Sequence, residues 1–270
     1  MPSISERLAY ERRLVNAKRL RYSLPFAQYY HRWYSDVLLS LLRPDSSLRV
    51  LDCGCGTGVL LPALRQRYRT AIGIDFCIEN LLEARGIDGA AGLAVGDVEC
   101  LPCAPLSFDQ IVCRGVLHHV PDAPSVFEQL FATLAEGGDL VISEPIGDSR
   151  LLAALRAAAH AARIHPFPGQ RLTYLTAQQW IDAAQAAGFR TVRWFHFGYL
   201  AFPLLGFPEA IPVMRYAPYP MTIAKLLLRV DRALVGAPYL RASSWHAVFH
   251  FRKPFAAALE SAASSDSAIA

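Results

Sequence analysis

The segment Val50-Leu51-Asp52-Cys53-Gly54-Cys55-Gly56-Thr57-Gly58 runs an apolar strand into a glycine-rich turn that opens a helix. Glycines let a backbone approach a ligand with no Cβ in the way. Their spacing is G-x-G-x-G, not the G-x-G-x-x-G of a pyrophosphate loop, and Asp52 stands two residues before the first glycine. A fixed carboxylate repels a pyrophosphate but attracts an ammonium or a sulfonium, so the charge pattern favours a cationic cofactor such as S-adenosylmethionine over a dinucleotide. Asp75, in Gly73-Ile74-Asp75, lies 23 residues after Asp52, where a carboxylate can take both hydroxyls of a ribose. Asp97, in Val95-Gly96-Asp97-Val98, is placed to meet an adenine amino group, with Val98 against the ring. Three carboxylates at three successive strand ends form a more specific pattern than any one alone.

His118 and His119 follow the fourth strand at the same edge, where either serves as a general base or the pair is a packing feature of the turn. Glu144 ends the fifth strand and either orients a substrate or caps the following turn. Cys53-x-Cys55 and Cys100-x-x-Cys103 resemble half-sites for zinc, but no second pair with histidines accompanies them, so no metal is expected. His196, His246 and His250 read as satisfied sheet residues.

These residues need a scaffold that brings strand ends to one edge. From Leu48 the texture is short apolar runs alternating with helical stretches, the mark of a parallel α/β sheet. Strands are predicted near 48–53, 71–75, 92–96, 108–113, 138–144, 190–197 and 245–252, with helices near 58–67, 77–85 and 123–135. The stretch 97–107 reads as loop. Residues 5–42 are helical in pattern and divided at Pro25, a further helix is expected over 149–165, and Thr176 opens a helix that Gly188 closes. Between Gly198 and Leu240 lie six prolines, which forbid one continuous helix. The exception is 221–235, where Lys225, Arg229 and Arg232 share one helical face and leucines the other. Phe202, Leu204, Leu205, Phe207, Ile211, Val213 and Met214 line either a hydrophobic substrate channel or the underside of a cap.

Hydrophobic residues make up 53% of the 270 and charged residues 19%, enough to bury one large core. The net charge of +4 does not call for nucleic acid. Arg7, Arg12, Arg13, Lys18, Arg19 and Arg21 cluster near the start against only Glu6 and Glu11 nearby, which reads as a solvated helix face or as contact with an anionic surface. All six cysteines lie between Cys53 and Cys113, which fits reduced thiols in the cytoplasm. Neither a signal peptide nor a transmembrane run is read in the sequence, so the expected location is cytoplasmic, with peripheral membrane contact through the apolar 198–240 segment and the basic start.

In V-L-D-C-G-C-G-T-G, G-I-D, G-D-V-E, F-D-Q-I-V-C-R-G-V-L-H-H-V-P-D and L-A-E-G-G-D-L-V-I-S-E-P, the chain resembles the class I S-adenosylmethionine-dependent methyltransferases, especially those acting on quinone precursors, lipids and natural products. The resemblance is close over about 48–145 and loose beyond. It implies a Rossmann-like, doubly wound, mostly parallel seven-stranded α/β sheet with an antiparallel last strand, a helical N-terminal lid and a C-terminal cap insert. The domain reading is a lid over 1–45, a cofactor-binding core over 46–197 with a helical insert at 149–175, a cap over 198–240, the last core strand over 241–255 and a disordered tail over 256–270. The resemblance implies that Asp52, Gly54 and Gly56 line the methionine end of S-adenosyl-L-methionine, Asp75 holds the ribose, and Asp97 and Val98 hold adenine. Cys55, Gly58 and Phe76 complete the contacts, and the backbone at Cys113 and Arg114 closes the site. Tyr22, Tyr29, Tyr30, His31 and Trp33 of the lid helices read mostly as core packing, with one tyrosine expected to reach the methionine carboxylate or the substrate.

The expected activity is methyl transfer to a small hydrophobic acceptor, with O-methylation by a His118 or His119 base favoured and C-methylation close behind. The alternatives are a cofactor-binding partner without catalysis and an NAD-dependent oxidoreductase. Nucleic acid is not expected as substrate, since no Asn/Asp-Pro-Pro-Tyr motif follows the fourth strand.

Overall fold

The computed structural model describes residues 4–88, 92–120, 122–149, 152–154, 157, 174–209, 211–235 and 243–256. Two helices, α1 (Ile4–Ser23) and α2 (Pro25–Leu39), precede the sheet. Pro25 divides them because its fixed φ suits a first helical turn and its missing N–H would break an inner one. There follow β1 (Arg49–Cys53), α3 (Leu61–Arg67), β2 (Thr70–Asp75), α4 (Ile78–Asp88), β3 (Leu93–Val95), β4 (Phe108–Arg114), a 3₁₀ turn at Leu117–His119, α5 (Ala123–Thr133) and β5 (Leu134–Pro145). Then come α6 (Ala177–Ala186), β6 (Arg190–Phe197), α7 (Ala201–Gly206), a 3₁₀ turn at Pro212–Arg215, α8 (Pro220–Val235) and β7 (His246–Arg252).

The seven described strands form one sheet in the order β3-β2-β1-β4-β5-β7-β6, parallel except where β7 runs antiparallel between β5 and β6. This is the doubly wound arrangement that the alternating pattern predicts. Neighbouring residues on a strand point to opposite faces, and the core divides accordingly. Leu51, Cys53, Ile111, Cys113, Ile142 and Phe249 pack with Phe127, Leu130 and Trp180 of α5 and α6. Val50, Val112, Val141 and Val248 pack on the other face with Tyr30, Tyr34 and Leu38 of α2, Leu205 of α7 and Leu228 of α8.

Three boundaries differ from expectation. α3 begins at Leu61 and not near 58, because Gly54, Gly56 and Gly58 all take positive φ and keep the chain in turns. α5 stops at Thr133 and β5 starts at Leu134, four residues before the expected strand: Leu134 pairs with Phe108, and the ladder then shifts register before Gln110 meets Asp139. Thr176 caps α6 through a reciprocal pair with Gln179, with Gly188 at φ +98 beyond its end, as read from the sequence. Most of the helix expected over 149–165, and all but one residue of the tail from 256, lie outside the described residues.

The basic cluster of α1 is divided: Arg12, Arg13 and Arg19 are on the exposed face that the sequence suggests, while Arg7, Lys18 and Arg21 are turned into the protein. Arg7 pairs with Asp97 and Glu99, Arg12 with Glu79 at 2.6 Å, Lys18 with Glu11 at 2.6 Å, Arg19 with Glu83 and Arg21 with Glu209. The pairs of Arg12 and Arg19 tie α1 to α4, that of Arg7 to the loop after β3 and that of Arg21 to the segment after α7, while Lys18 and Glu11 pair within α1. Their partners are up to 188 residues away in sequence, so local charge counting misses them.

Candidate active site

The carboxyl ends of β1, β2, β3 and β4 meet at one edge, and the residues singled out in the sequence gather there. Asp52 lies opposite Gly73 of β2 and Val112 of β4. It is 2% exposed, and its Oδ2 has no hydrogen-bond partner. Burial pushes its pKa up to about 7, with nearby Arg114 pulling the other way and Asp75 adding to the rise. Thr57 Oγ1, in the same glycine loop, is also buried without a partner. Two orphaned polar atoms in one loop mark a place where a polar ligand completes the structure.

The glycines of that loop serve different ends. At Gly54 (φ +72) an added Cβ would lie 2.4 Å from Val116 Cγ2, so the loop and the turn after β4 touch only because no side chain intervenes. At Gly56 (φ +53) an added Cβ would meet nothing within 4 Å, so a side chain there would project into the cradle rather than into protein. The residues present therefore fit a cationic, nucleoside-bearing cofactor at this edge.

Asp75 accepts from Gly56 N at 2.9 Å on Oδ2, and from Cys77 N at 2.9 Å and Asn80 Nδ2 at 3.1 Å on Oδ1. Burial raises its pKa against the pull of those donors. Asn80 in turn meets Glu11 Oε2 at 3.3 Å, so α1 reaches the surroundings of Asp75 through Glu11 and Lys18. Asp97 is 3.3 Å from Arg7, whose guanidinium covers the Phe76 ring at 5.1 Å. Val98 is buried in the core below. Cys53 and Cys113 face each other across β1 and β4, and all six cysteines are free. Among the described residues, no group of three or more His, Cys, Asp or Glu is arranged to hold a metal.

Glu144 is both a cap and an orienting group. Its Oε1 accepts from Val116 N and Leu117 N, each at 2.9 Å, which satisfies the start of the 3₁₀ turn. Its Oε2 accepts from His118 N at 3.3 Å and from His118 Nδ1 at 2.7 Å. With three backbone N–H groups already donating to Glu144, the geometry suits Nδ1 as a fourth donor, which in the neutral ring leaves Nε2 as the acceptor. His119 lies against His118, tilted by 38° with 3.9 Å between ring centres, and burial, then His118, Lys18 and Arg7, hold its pKa well below the usual histidine value.

On the α2 side of the sheet, Arg114 Nη2 faces His31 Nδ1 at 2.5 Å, and its guanidinium lies 4.1 Å over the Tyr34 ring. Tyr34 Oη meets Ser143 Oγ at 2.6 Å and His246 Nδ1 at 3.4 Å. Sequence reading missed Tyr34, Ser35 and Ser143, because nothing local distinguishes a core tyrosine or serine from one beside a site. His196 pairs with Ser244 and His250 with Asp139, as satisfied sheet residues do. The seven apolar residues of the cap do not form one lining: Phe202, Leu205 and Met214 are in the core, while Val213 is 55% exposed.

Over residues 26–193 the chain matches the family described as the methyltransferase domain. It is 35% identical over 107 residues to the ubiquinone biosynthesis O-methyltransferase of Paracidovorax citrulli, a match covering 36% of this chain and 43% of that protein. The corresponding enzyme of Pseudomonas fluorescens is 35% identical over 100 residues, covering 35% and 43%. The chain thus spans under half the length of these curated relatives. Among solved structures, the [4+2]-cyclase SpnF superposes with a TM-score of 0.59 at 20% identity, covering 85% of this chain and 82% of that one. Geranyl diphosphate C-methyltransferase of Streptomyces coelicolor A3(2) gives 0.58 at 12% identity, covering 84% and 82%. These two likenesses speak to the fold alone. Sheet order, glycine loop, carboxylate edge and family match agree: the chain belongs to the class I S-adenosylmethionine-dependent methyltransferases.

Proposed function

We propose that the protein transfers a methyl group to a hydroxyl of a small hydrophobic acceptor, with His118 as the general base. The carrying observation is the Glu144–His118 hydrogen bond at 2.7 Å, which fixes the tautomer and aims Nε2 away from the carboxylate. When bound, S-adenosylmethionine supplies an electrophilic methyl on sulfur. Asp52, Gly54, Cys55, Gly56 and Gly58 hold the methionine end, Asp75 and Phe76 the ribose side, Asp97 and Val98 the adenine, with the backbone of Cys113 and Arg114 closing the site. His118 Nε2 takes the acceptor's proton as its oxygen attacks, and alignment in a water-poor edge does most of the rest. The ubiquinone O-methyltransferase relatives support a phenolic acceptor. C-methylation of an activated ring needs less from His118. Turnover with labelled cofactor on phenols and quinols, in the wild type and His118→Ala, tests the reading: equal rates would remove His118 as base, and no turnover on any acceptor would favour a non-catalytic binding role.

We further propose that the acceptor is met at an anionic lipid surface. Val213, Tyr216, Tyr219 and Leu226 are 55%, 79%, 82% and 59% exposed, and the exposed cations Arg215, Lys225 and Arg229 stand among them. No acidic residue occurs between 210 and 230. Aromatic side chains interleaved with cations suit the headgroup layer. Among the described residues no helix is long and apolar enough to cross a membrane, so contact would be peripheral. Failure to float with phosphatidylglycerol vesicles would end this reading.

A further inference from the structure

Arg114 carries a positive charge into the α2 side of the sheet and meets only neutral groups there. Its Nη1 is 3.4 Å from Ser35 Oγ, its Nη2 is 2.5 Å from His31 Nδ1, and its plane lies on Tyr34. His31 is the acceptor in that contact: its Nε2 donates to Gly206 O at 3.1 Å, and burial, then Arg114 itself, hold its pKa well below the usual histidine value. Among the described residues no carboxylate forms an ion pair with Arg114. The guanidinium is therefore held in place by a ring, a hydroxyl and an imidazole without being neutralised.

The opposite charge is close by. Asp52 is in register with Val112 on the neighbouring parallel strand, and Arg114 is two residues beyond Val112. Residues in register, and residues two apart, point to the same face, so Asp52 and Arg114 share one. Their Cα atoms are separated by roughly 4.8 Å across the strands and about 6.6 Å along them. They feel each other, yet Asp52 Oδ2 has no partner. A buried anion and a half-buried cation that are adjacent but unpaired are complementary to a ligand bearing both charges on neighbouring atoms.

We infer that Asp52 and Arg114 form a socket for the α-amino-acid zwitterion of the cofactor: Asp52 takes the ammonium, and the Arg114 side chain, braced by His31, Ser35 and Tyr34, takes the carboxylate. This rests on the cofactor assignment and gives the Arg114 side chain a role in addition to that of its backbone. It also gives α2 a function: the helix supplies the three neutral groups that orient a cation without cancelling it.

The test compares S-adenosylhomocysteine with its decarboxylated analogue, which keeps the amine, thioether and adenosine, by isothermal titration against the wild type, Arg114→Met and Arg114→Lys. The wild type should prefer the carboxylate-bearing ligand by tenfold or more. Arg114→Met should lose that preference by weakening S-adenosylhomocysteine alone, and Arg114→Lys should keep part of it. Thermal unfolding checks that Arg114→Met is folded; if it is not, the wild-type preference and the Lys variant carry the test. Equal wild-type affinity for both ligands, or equal weakening of both by Arg114→Met in the folded protein, would overturn the socket while leaving the cofactor in place. A folded wild type that binds neither ligand would overturn the cofactor assignment itself.

Discussion

Arg7 of α1 reaches 90 residues along the chain to Asp97, at 3.3 Å, and also pairs with Glu99 while covering the ring of Phe76. The carboxylate and ring assigned to the adenosine of the cofactor are thus engaged by a cation from the first helix. On the proposed assignment adenine and Arg7 compete for Asp97, so Arg7→Ala should bind S-adenosylhomocysteine more tightly, by about fivefold for a contact worth ~1 kcal/mol. Added salt should tighten wild-type binding and leave the variant nearly unchanged, because the competing pair is screened. Titration calorimetry at two ionic strengths reads both effects.

Asp52 should cost stability in the free protein. A carboxyl whose folded pKa is raised to about 7 binds more protons in the folded than in the unfolded chain between the ordinary carboxylate value and 7. Stability from this group is therefore full below about pH 4 and is lost as pH rises through 7. Asp52→Asn should unfold at a Tm higher by roughly 3–8 °C at pH 8, with the advantage shrinking toward pH 5. The same variant should bind S-adenosylmethionine more weakly. Scanning calorimetry across pH, without cofactor, gives the first half; an equal Tm at every pH would contradict it.

His118 and Glu144 should separate chemistry from binding. His118→Ala is expected to lower kcat by roughly 10²–10³ with KM for the cofactor unchanged. Glu144→Gln keeps an oxygen for the turn but presents an amide to His118 Nδ1, and should lower kcat by on the order of tenfold. Steady-state kinetics beside S-adenosylhomocysteine titration distinguishes this from a collapsed site, in which affinity would fall as well.

Asp231 of α8 is buried and accepts from Tyr199 N at 2.9 Å, Leu200 N at 2.8 Å and Ala201 N at 3.1 Å, so it caps α7 from another helix. Removing it leaves three backbone donors at a buried corner. Asp231→Ala should destabilise the protein by about 2–3 kcal/mol in urea unfolding, and Asp231→Asn by less.

The parts of this fold that were legible in sequence are those set by local rules. Val50 to Gly58 showed strand, turn and ligand chemistry together, and Thr176 with Gln179 announced a helix start. What stayed hidden depends on partners far along the chain. Arg12 and Arg19 are surface cations as they read, but their partners Glu79 and Glu83 come only with α4. Tyr34 reads as one more aromatic of α2 until Ser143 and Arg114 meet it. β5 begins early because Leu134 finds Phe108, a pairing across 26 residues that local pattern does not announce. Glu144 reads from its neighbours as a cap for the turn after it or a substrate contact, whereas its partners are 26 to 28 residues earlier: one oxygen serves the backbone of the turn after β4 and the other the imidazole of His118.

That division of labour bears on how the molecule comes to be active. The turn that carries His118 takes its start from the end of β5, so it cannot settle until β4 and β5 have paired around the α5 crossover, a non-local step that closes late in parallel sheets. A half-folded chain, even one with its glycine loop formed, would hold an imidazole with no fixed tautomer and no fixed direction. If His118 is the base proposed above, catalytic competence arrives only with the completed sheet.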